Sequence, residues 1–164
     1  MASIMPHLQI SWILCLQALI AFILGLVIGI EREYHHSPAG IRTYAAVCLG
    51  ACVFGIISTH AYGAHYYTSV ADPTRIAAQI VSGIGFLGAG VIFRDDLKTR
   101  GLTTAATIWS TAAVGLAVAF ELYILAIFST ALILILLSLN YFPWLRNFKQ
   151  KIRDNDQKAP TENQ

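Results

Sequence analysis

The chain has 164 residues, of which 56% are hydrophobic and 12% are charged. This composition is typical of a membrane protein and excludes an ordinary soluble domain. The net charge of +2 includes no basic patch apart from a few connections and the C-terminal tail, which argues against a protein that binds nucleic acid.

Five apolar segments account for most of the chain. Each is close to the length that a helix needs to cross the ~30 Å hydrocarbon core of a bilayer. We therefore predict an all-α integral membrane protein, built as a bundle of five transmembrane helices at residues 10–30, 43–61, 76–93, 103–120 and 122–142.

The basic residues predict the orientation of this bundle. Every Lys and Arg except Arg75 falls on one side of the five segments or in the tail, so the N-terminus is predicted outside and the C-terminus in the cytoplasm. The first segment has no preceding Lys or Arg and no cleavage site, so we expect a retained helix and not a signal peptide. Residues 1–145 form the predicted transmembrane domain, and residues 146–164 a basic tail, first amphipathic and then disordered.

Predicted helices 1 and 2 carry small residues that allow close packing. Gly25 and Gly29 form a Gly-x-x-x-Gly step, which lets another helix approach the backbone. Cys48 and Cys52 share one face of helix 2. They are interpreted either as small apolar packing residues or as a pair of ligands for a soft metal.

Predicted helix 3 is rich in glycine, with Gly83, Gly85, Gly88 and Gly90 in eight residues. Small residues on both sides of a helix permit neighbours on both sides, so we place helix 3 at the centre of the bundle. The same stretch matches Gly-x-Gly-x-x-Gly, but a dinucleotide site needs a preceding strand, a following helix and an acidic residue about 20 residues on. This stretch lies inside an apolar span, so we reject a dinucleotide site.

Predicted helix 4 carries a stripe of hydroxyl groups. Thr103, Thr107 and Ser110 lie within about 60° of one another, flanked by Thr104 and Thr111. Such hydroxyls either donate to their own or a neighbouring helix, or line a cavity or ion path. Helix 5 has no glycine and is dominated by Leu and Ile, which predicts a peripheral helix facing lipid.

Acidic residues gather at the cytoplasmic ends of predicted helices 1 and 3. Glu31, Glu33 and Asp95 could coordinate Mg²⁺ or relay protons. Alternatively, the acids pair with Arg32, Arg42, Arg94 and Arg100 and tie the loops together. No catalytic constellation and no other cofactor site is found, so an enzyme is not expected.

Four blocks in this order resemble the MgtC/SapB family of bacterial inner-membrane proteins. They begin at Gly25, Ala39, Gly83 and Gly101, and read GLVIGIERE, AGIRT, GIGFLGAGVI and GLTTAATIW. The resemblance covers about residues 20–140 and implies a compact multi-pass domain of five helices. It points to functional or packing roles for Gly25, Gly29, Arg32, Arg42, Thr43, Gly83, Gly85, Gly88, Gly90, Thr103, Thr104, Thr107, Trp109 and Ser110.

The resemblance also implies a link to magnesium limitation and, in some pathogens, to virulence. Many relatives carry a folded cytosolic domain after the last helix, and we expect this chain to be a short form that lacks it. Two functions are consistent with these features. One is a modulator of magnesium or cation homeostasis, or of membrane energetics, that binds a larger membrane complex such as an ATPase or a cation transporter. The alternative is a small oligomeric transporter of Mg²⁺ or another cation.

Overall fold

The computed structural model of the protein describes residues 5–60, 74–95 and 98–139. Within these residues the chain forms five α-helices and one short hairpin. The elements are α1 (Met5–Tyr34), α2 (Ile41–His60), α3 (Thr74–Gly90), β1 (Phe93–Asp95), β2 (Lys98–Arg100), α4 (Leu102–Ala119) and α5 (Tyr123–Ser138). The predicted tail, residues 146–164, lies outside the described residues.

The five predicted helices are confirmed as helices, and three are long and apolar enough to cross a membrane. These three are Trp12–Tyr34, Ile41–Thr59 and Leu102–Ala119. With 17 residues in α3 and 16 in α5, the other two are shorter than the ~20 residues of a typical transmembrane helix. Membrane crossing by α3 and α5, and the orientation of the bundle, stay predictions.

The connection between α3 and α4 differs from the predicted loop. Helix α3 ends at Gly90 and not at residue 93, and an antiparallel hairpin follows, in which Phe93 pairs with Arg100 and Asp95 with Lys98. After β2 the chain turns into α4 at Gly101, whose φ is 90°. A Cβ at Gly101 would overlap the carbonyl oxygen of Val91, so a residue without a side chain is needed at this turn.

Helices α1, α2 and α4 form the core by approaching one another at glycines. The close approach expected at the Gly25–Gly29 step is present, because a Cβ on Gly29 would lie 2.6 Å from Ile41 Cα, and one on Gly25 would lie 2.8 Å from Cys48 Cβ. Gly115 of α4 also packs against α2, at the backbone of Cys48. Cys48 and Cys52 are buried in this core, as the packing interpretation requires.

The central helix is α4, and the prediction that helix 3 is central is wrong within the described residues. Helix α4 contacts each of the other four helices, whereas α3 packs mainly against α2 and α4. A Cβ on Gly83, Gly85 or Gly90 would meet no atom within 4 Å. Gly88 is the buried residue of α3, where a Cβ would sit in ordinary contact with Ala105.

Helix α5 lies at the edge of the bundle, against α4 and α1. It buries Ala126, Thr130 and Leu137 and exposes long apolar side chains such as Ile124. This is the arrangement predicted for a helix that faces lipid. A polar contact links its first residue to α1, since Gln17 Nε2 donates to Tyr123 Oη at 3.1 Å.

Candidate functional site

The charged sequence blocks meet at one end of the bundle, which we call the polar end. It comprises residues 31–44, where α1 ends and α2 begins, and residues 91–95 and 98–104, which lead from α3 into α4. Helix α1 terminates there in a Schellman arrangement: His36 has a φ of 52°, His36 N donates to Glu33 O, and Ser37 N donates to Arg32 O. The closure turns the chain sharply, so that α2 starts beside the last turn of α1.

A partly buried ion pair lies in the last turn of α1. Arg32 Nε donates to Glu31 Oε2 at 2.5 Å, and a second guanidinium nitrogen donates to Glu31 Oε1 at 2.8 Å. The Arg32 side chain is 8% exposed and that of Glu31 is 18% exposed. Two parallel charge-assisted hydrogen bonds compensate for removing these charges from water. His35 Nε2 lies 3.6 Å from the same carboxylate.

The carboxylate of Glu33 caps helix α2. Its Oε2 atom accepts a hydrogen bond from Ile41 N at 3.1 Å, at the first residue of the helix. Amide groups of a first turn have no partner within the helix, and a negative charge there is favoured by the helix dipole. Gly40 makes room for this contact, because a Cβ on Gly40 would overlap the Glu33 carboxylate.

The start of α4 is tied to the connection between α1 and α2. Ser37 Oγ and Thr104 Oγ1 share a hydrogen bond of 3.1 Å, and Tyr44 Oη donates to Thr104 O at 3.4 Å. Tyr44 is fully buried. Hydrogen bonds therefore join the α1–α2 connection, α2 and α4 at the polar end.

The hydroxyl stripe of α4 agrees with the interpretation in which the hydroxyls donate to their own or a neighbouring helix. Thr107 Oγ1 donates to Thr103 O at 2.7 Å, Thr111 Oγ1 to Thr107 O at 2.8 Å, and Ser110 Oγ to Ala106 O at 2.9 Å. These hydroxyls thus bond to their own helix. The buried hydroxyls are those of Thr104, Thr107 and Thr111, while Thr103 is exposed. The buried side of α4 is therefore rotated about the helix axis relative to the predicted stripe.

The other predicted site residues lie at the surface of the polar end or on outer helix faces. The side chains of Arg42, Thr43, Arg94 and Arg100 are exposed, and Trp109 is about half exposed. Asp95 belongs to β1, but its side chain lies outside the described part of the structure.

The predicted acidic metal site stays a prediction. The described carboxylates of Glu31 and Glu33 are directed at Arg32 and at the start of α2, respectively. Among the residues that the structure describes, no group of three or more His, Cys, Asp or Glu side chains is arranged to hold a metal ion.

Three residues of these contacts were missed by reasoning from sequence. Gly115 belongs to a small-residue series with Thr111 and Ala119, spaced by four, and that spacing is a signal of a close helix contact. Ser37 and Tyr44 have no comparable signal, because a hydroxyl in a turn and an aromatic ring at a helix start are common at any membrane interface.

Comparison with known proteins agrees with the sequence blocks. Residues 18–146 match the MgtC family. Protein MgtC of Brucella abortus (strain 2308) is 53% identical over 95 residues, which cover 58% of this chain and 37% of the relative. Protein MgtC of Salmonella typhimurium (strain LT2) is 53% identical over 100 residues, which cover 61% of this chain and 40% of the relative. Protein SapB of Bacillus subtilis (strain 168) is 42% identical over 129 residues, covering 77% and 55%.

The match covers only part of each relative, since this chain spans between 37% and 55% of their lengths. No solved structure matches the chain. The family match extends over well more than half of the chain and includes α2, α3, α4, α5 and the polar end. The chain therefore belongs to the MgtC family.

Proposed function

We propose that this protein is a bacterial inner-membrane regulator of magnesium or cation homeostasis, or of membrane energetics. It acts by binding a larger membrane complex, such as an ATPase or a cation transporter, and has no catalytic activity of its own. Membership of the MgtC family supports the cellular setting. The mode of action rests on the exposed surface of α3.

One side of α3 consists of small residues that nothing in the described chain covers. Ala78, Ser82, Gly85 and Ala89 follow one another at intervals of three or four residues, so they lie on one side of the helix. All four are exposed, and a Cβ on Gly85 would meet no atom within 4 Å. In a membrane, small residues allow helices to approach closely, which is the main source of attraction between them. This surface, which we call the small-residue side of α3, supports binding to another membrane protein.

The described polar groups give little support to transport by this chain. Mg²⁺ prefers oxygen ligands, usually with carboxylates among them, and it gives up its water reluctantly. The α4 hydroxyls donate to carbonyl groups of their own helix, and Glu31 and Glu33 already have partners. A path for a divalent ion would have to replace these contacts.

Crosslinking in native membranes tests the proposal. A photoreactive amino acid at position 82 is expected to capture a larger membrane protein, and Gly85→Leu is expected to reduce that capture severalfold. Gly83→Leu is the matched control, because it adds the same bulk to the same helix at another open position. Equal capture with Gly83→Leu and Gly85→Leu would contradict binding through the small-residue side.

Flux measurements test the alternative, that this protein transports Mg²⁺ by itself. Purified protein in liposomes is expected to show no Mg²⁺ flux above empty vesicles. Flux that disappears with Thr107→Val or Ser110→Ala would overturn regulation in favour of a transporter, since these changes remove hydroxyls of the α4 stripe.

A further inference from the structure

A groove runs between α2 and α3, on a different side of α3 from Ser82 and Gly85. Its volume is about 520 Å³. Gly50 of α2 and Gly83 of α3 both line it, and a Cβ on either would meet no atom within 4 Å. The groove opens sideways, because Phe54 and Leu87 on its two walls are each more than half exposed.

The lining of the groove is apolar except for one side chain. Gln79 is the single polar residue among those that line it. On α3 the lining extends from Ile76 to Leu87, a rise of about 16 Å at 1.5 Å per residue. That is close to half of the ~30 Å hydrocarbon core, so the groove has the length of one leaflet.

A positive charge stands at one end of the groove. Arg75 is exposed and lies one helical turn before Gln79, near the start of α3. Side chains on a helix tilt toward its N-terminus, and a long basic side chain extends to the level of the headgroups. The side chain of Arg75 is exposed, and no ion pair of Arg75 is found among the described residues.

We propose that this groove binds an anionic phospholipid, with one acyl chain along Gly50 and Gly83 and the phosphate at Arg75. Three features match this ligand in order along α3: a cation at headgroup level, one hydrogen-bonding amide next to it, and an apolar channel one leaflet long. Two contributions favour binding of this lipid. A basic residue is attracted to an anionic headgroup, and methylene groups of the acyl chain are buried.

Labelling with a photoreactive phospholipid tests this assignment. Purified protein in vesicles of phosphatidylcholine receives phosphatidylglycerol that carries a diazirine in one acyl chain, and the labelled peptides are identified by mass spectrometry. Labelling is expected in the peptides that contain Gly50 and Gly83. Gly83→Leu is expected to reduce it severalfold by filling the groove, while Gly85→Leu, on another side of α3, leaves it unchanged.

The charge is tested separately by competition. Arg75→Gln is expected to weaken phosphatidylglycerol binding about fivefold, the effect of one basic residue near an anionic surface, and to remove the preference over phosphatidylcholine. Arg94→Gln, an exposed basic residue at the polar end, is the control and leaves the preference intact. The proposal is overturned if the Gly83→Leu and Gly85→Leu variants bind the lipid equally, or if Arg75→Gln keeps the preference for phosphatidylglycerol. It is also overturned if two copies of the protein crosslink through the groove and Gly83→Leu abolishes that dimer, because the occupant would then be a second copy.

Discussion

Among the glycines within the helices, Gly115 is predicted to tolerate the least additional volume. It lies in the C-terminal third of α4, where the backbone of α2 packs against it. A Cβ at Gly115 would overlap the carbonyl oxygen of Cys48 and lie 3.0 Å from the carbonyl carbon and 3.1 Å from Ala51 Cβ. Two of these three atoms belong to the backbone, so no change of rotamer relieves the contact. Gly115→Ala therefore forces α2 and α4 apart.

The size of the effect follows from two opposing contributions. Replacing glycine by alanine in a helix interior is favourable by up to about 1 kcal/mol. Inserting a methyl group into a closely packed contact costs about 1–3 kcal/mol, and the upper part of that range applies where backbone must move. Gly115→Ala is therefore expected to lower the free energy of unfolding by about 1–2 kcal/mol. Gly50→Ala is the matched control, because it gains the same helix propensity and meets no atom within 4 Å.

Unfolding of the purified protein in mixed micelles, followed by far-UV circular dichroism as the fraction of dodecyl sulfate is raised, measures this difference. The unfolding midpoint of Gly115→Ala should lie below that of the wild type, and that of Gly50→Ala at or above it. If Gly115→Ala cannot be purified, its abundance in membranes relative to Gly50→Ala gives the same order. Equal midpoints for the two variants would refute the close approach of α2 and α4.

Three further predictions concern the polar end and the orientation. Glu33→Ala is expected to destabilise the protein by about 1 kcal/mol through loss of the α2 cap. Gly40→Ala displaces the same carboxylate. In the same unfolding assay, the loss of stability in the Glu33→Ala/Gly40→Ala double variant should therefore be clearly smaller than the sum of the losses in the two single variants. Glu31→Gln breaks the pair with Arg32 and is expected to lower stability by about 2 kcal/mol, whereas full stability would argue against the pair. Reporter fusions at position 68 should report the periplasm and fusions at positions 98 and 158 the cytoplasm, and the reverse pattern would contradict the predicted orientation.

Hydropathy was sufficient to predict the helices because each is a long apolar run bounded by polar residues. The hairpin at Phe93–Asp95 and Lys98–Arg100 was not predictable in this way. Strands of three residues are too short to show an alternating pattern, and the two residues that connect them include no glycine or asparagine to mark the turn.

The arrangement of the helices was harder to predict than their existence. Glycine permits a close contact but does not require one, so Gly83 and Gly85 looked like packing positions although no part of the described chain covers them. The gathering of Glu31 and Arg32 at a membrane boundary was evident from the sequence. The partner of each charge was not, because it depends on how α1 ends and on where α2 begins.

The central position of α4 has a consequence for the biogenesis of the protein. Membrane helices leave the ribosome in chain order, so α1 and α2 are inserted and paired before α4 exists. Until Gly115 has been synthesised, the groups of α2 that it covers, at Cys48 and Ala51, remain exposed to the surrounding lipid and to any other nascent helix. Assembly of this bundle is therefore completed late in translation, and a chain arrested before residue 102 leaves this surface of α2 without its α4 partner.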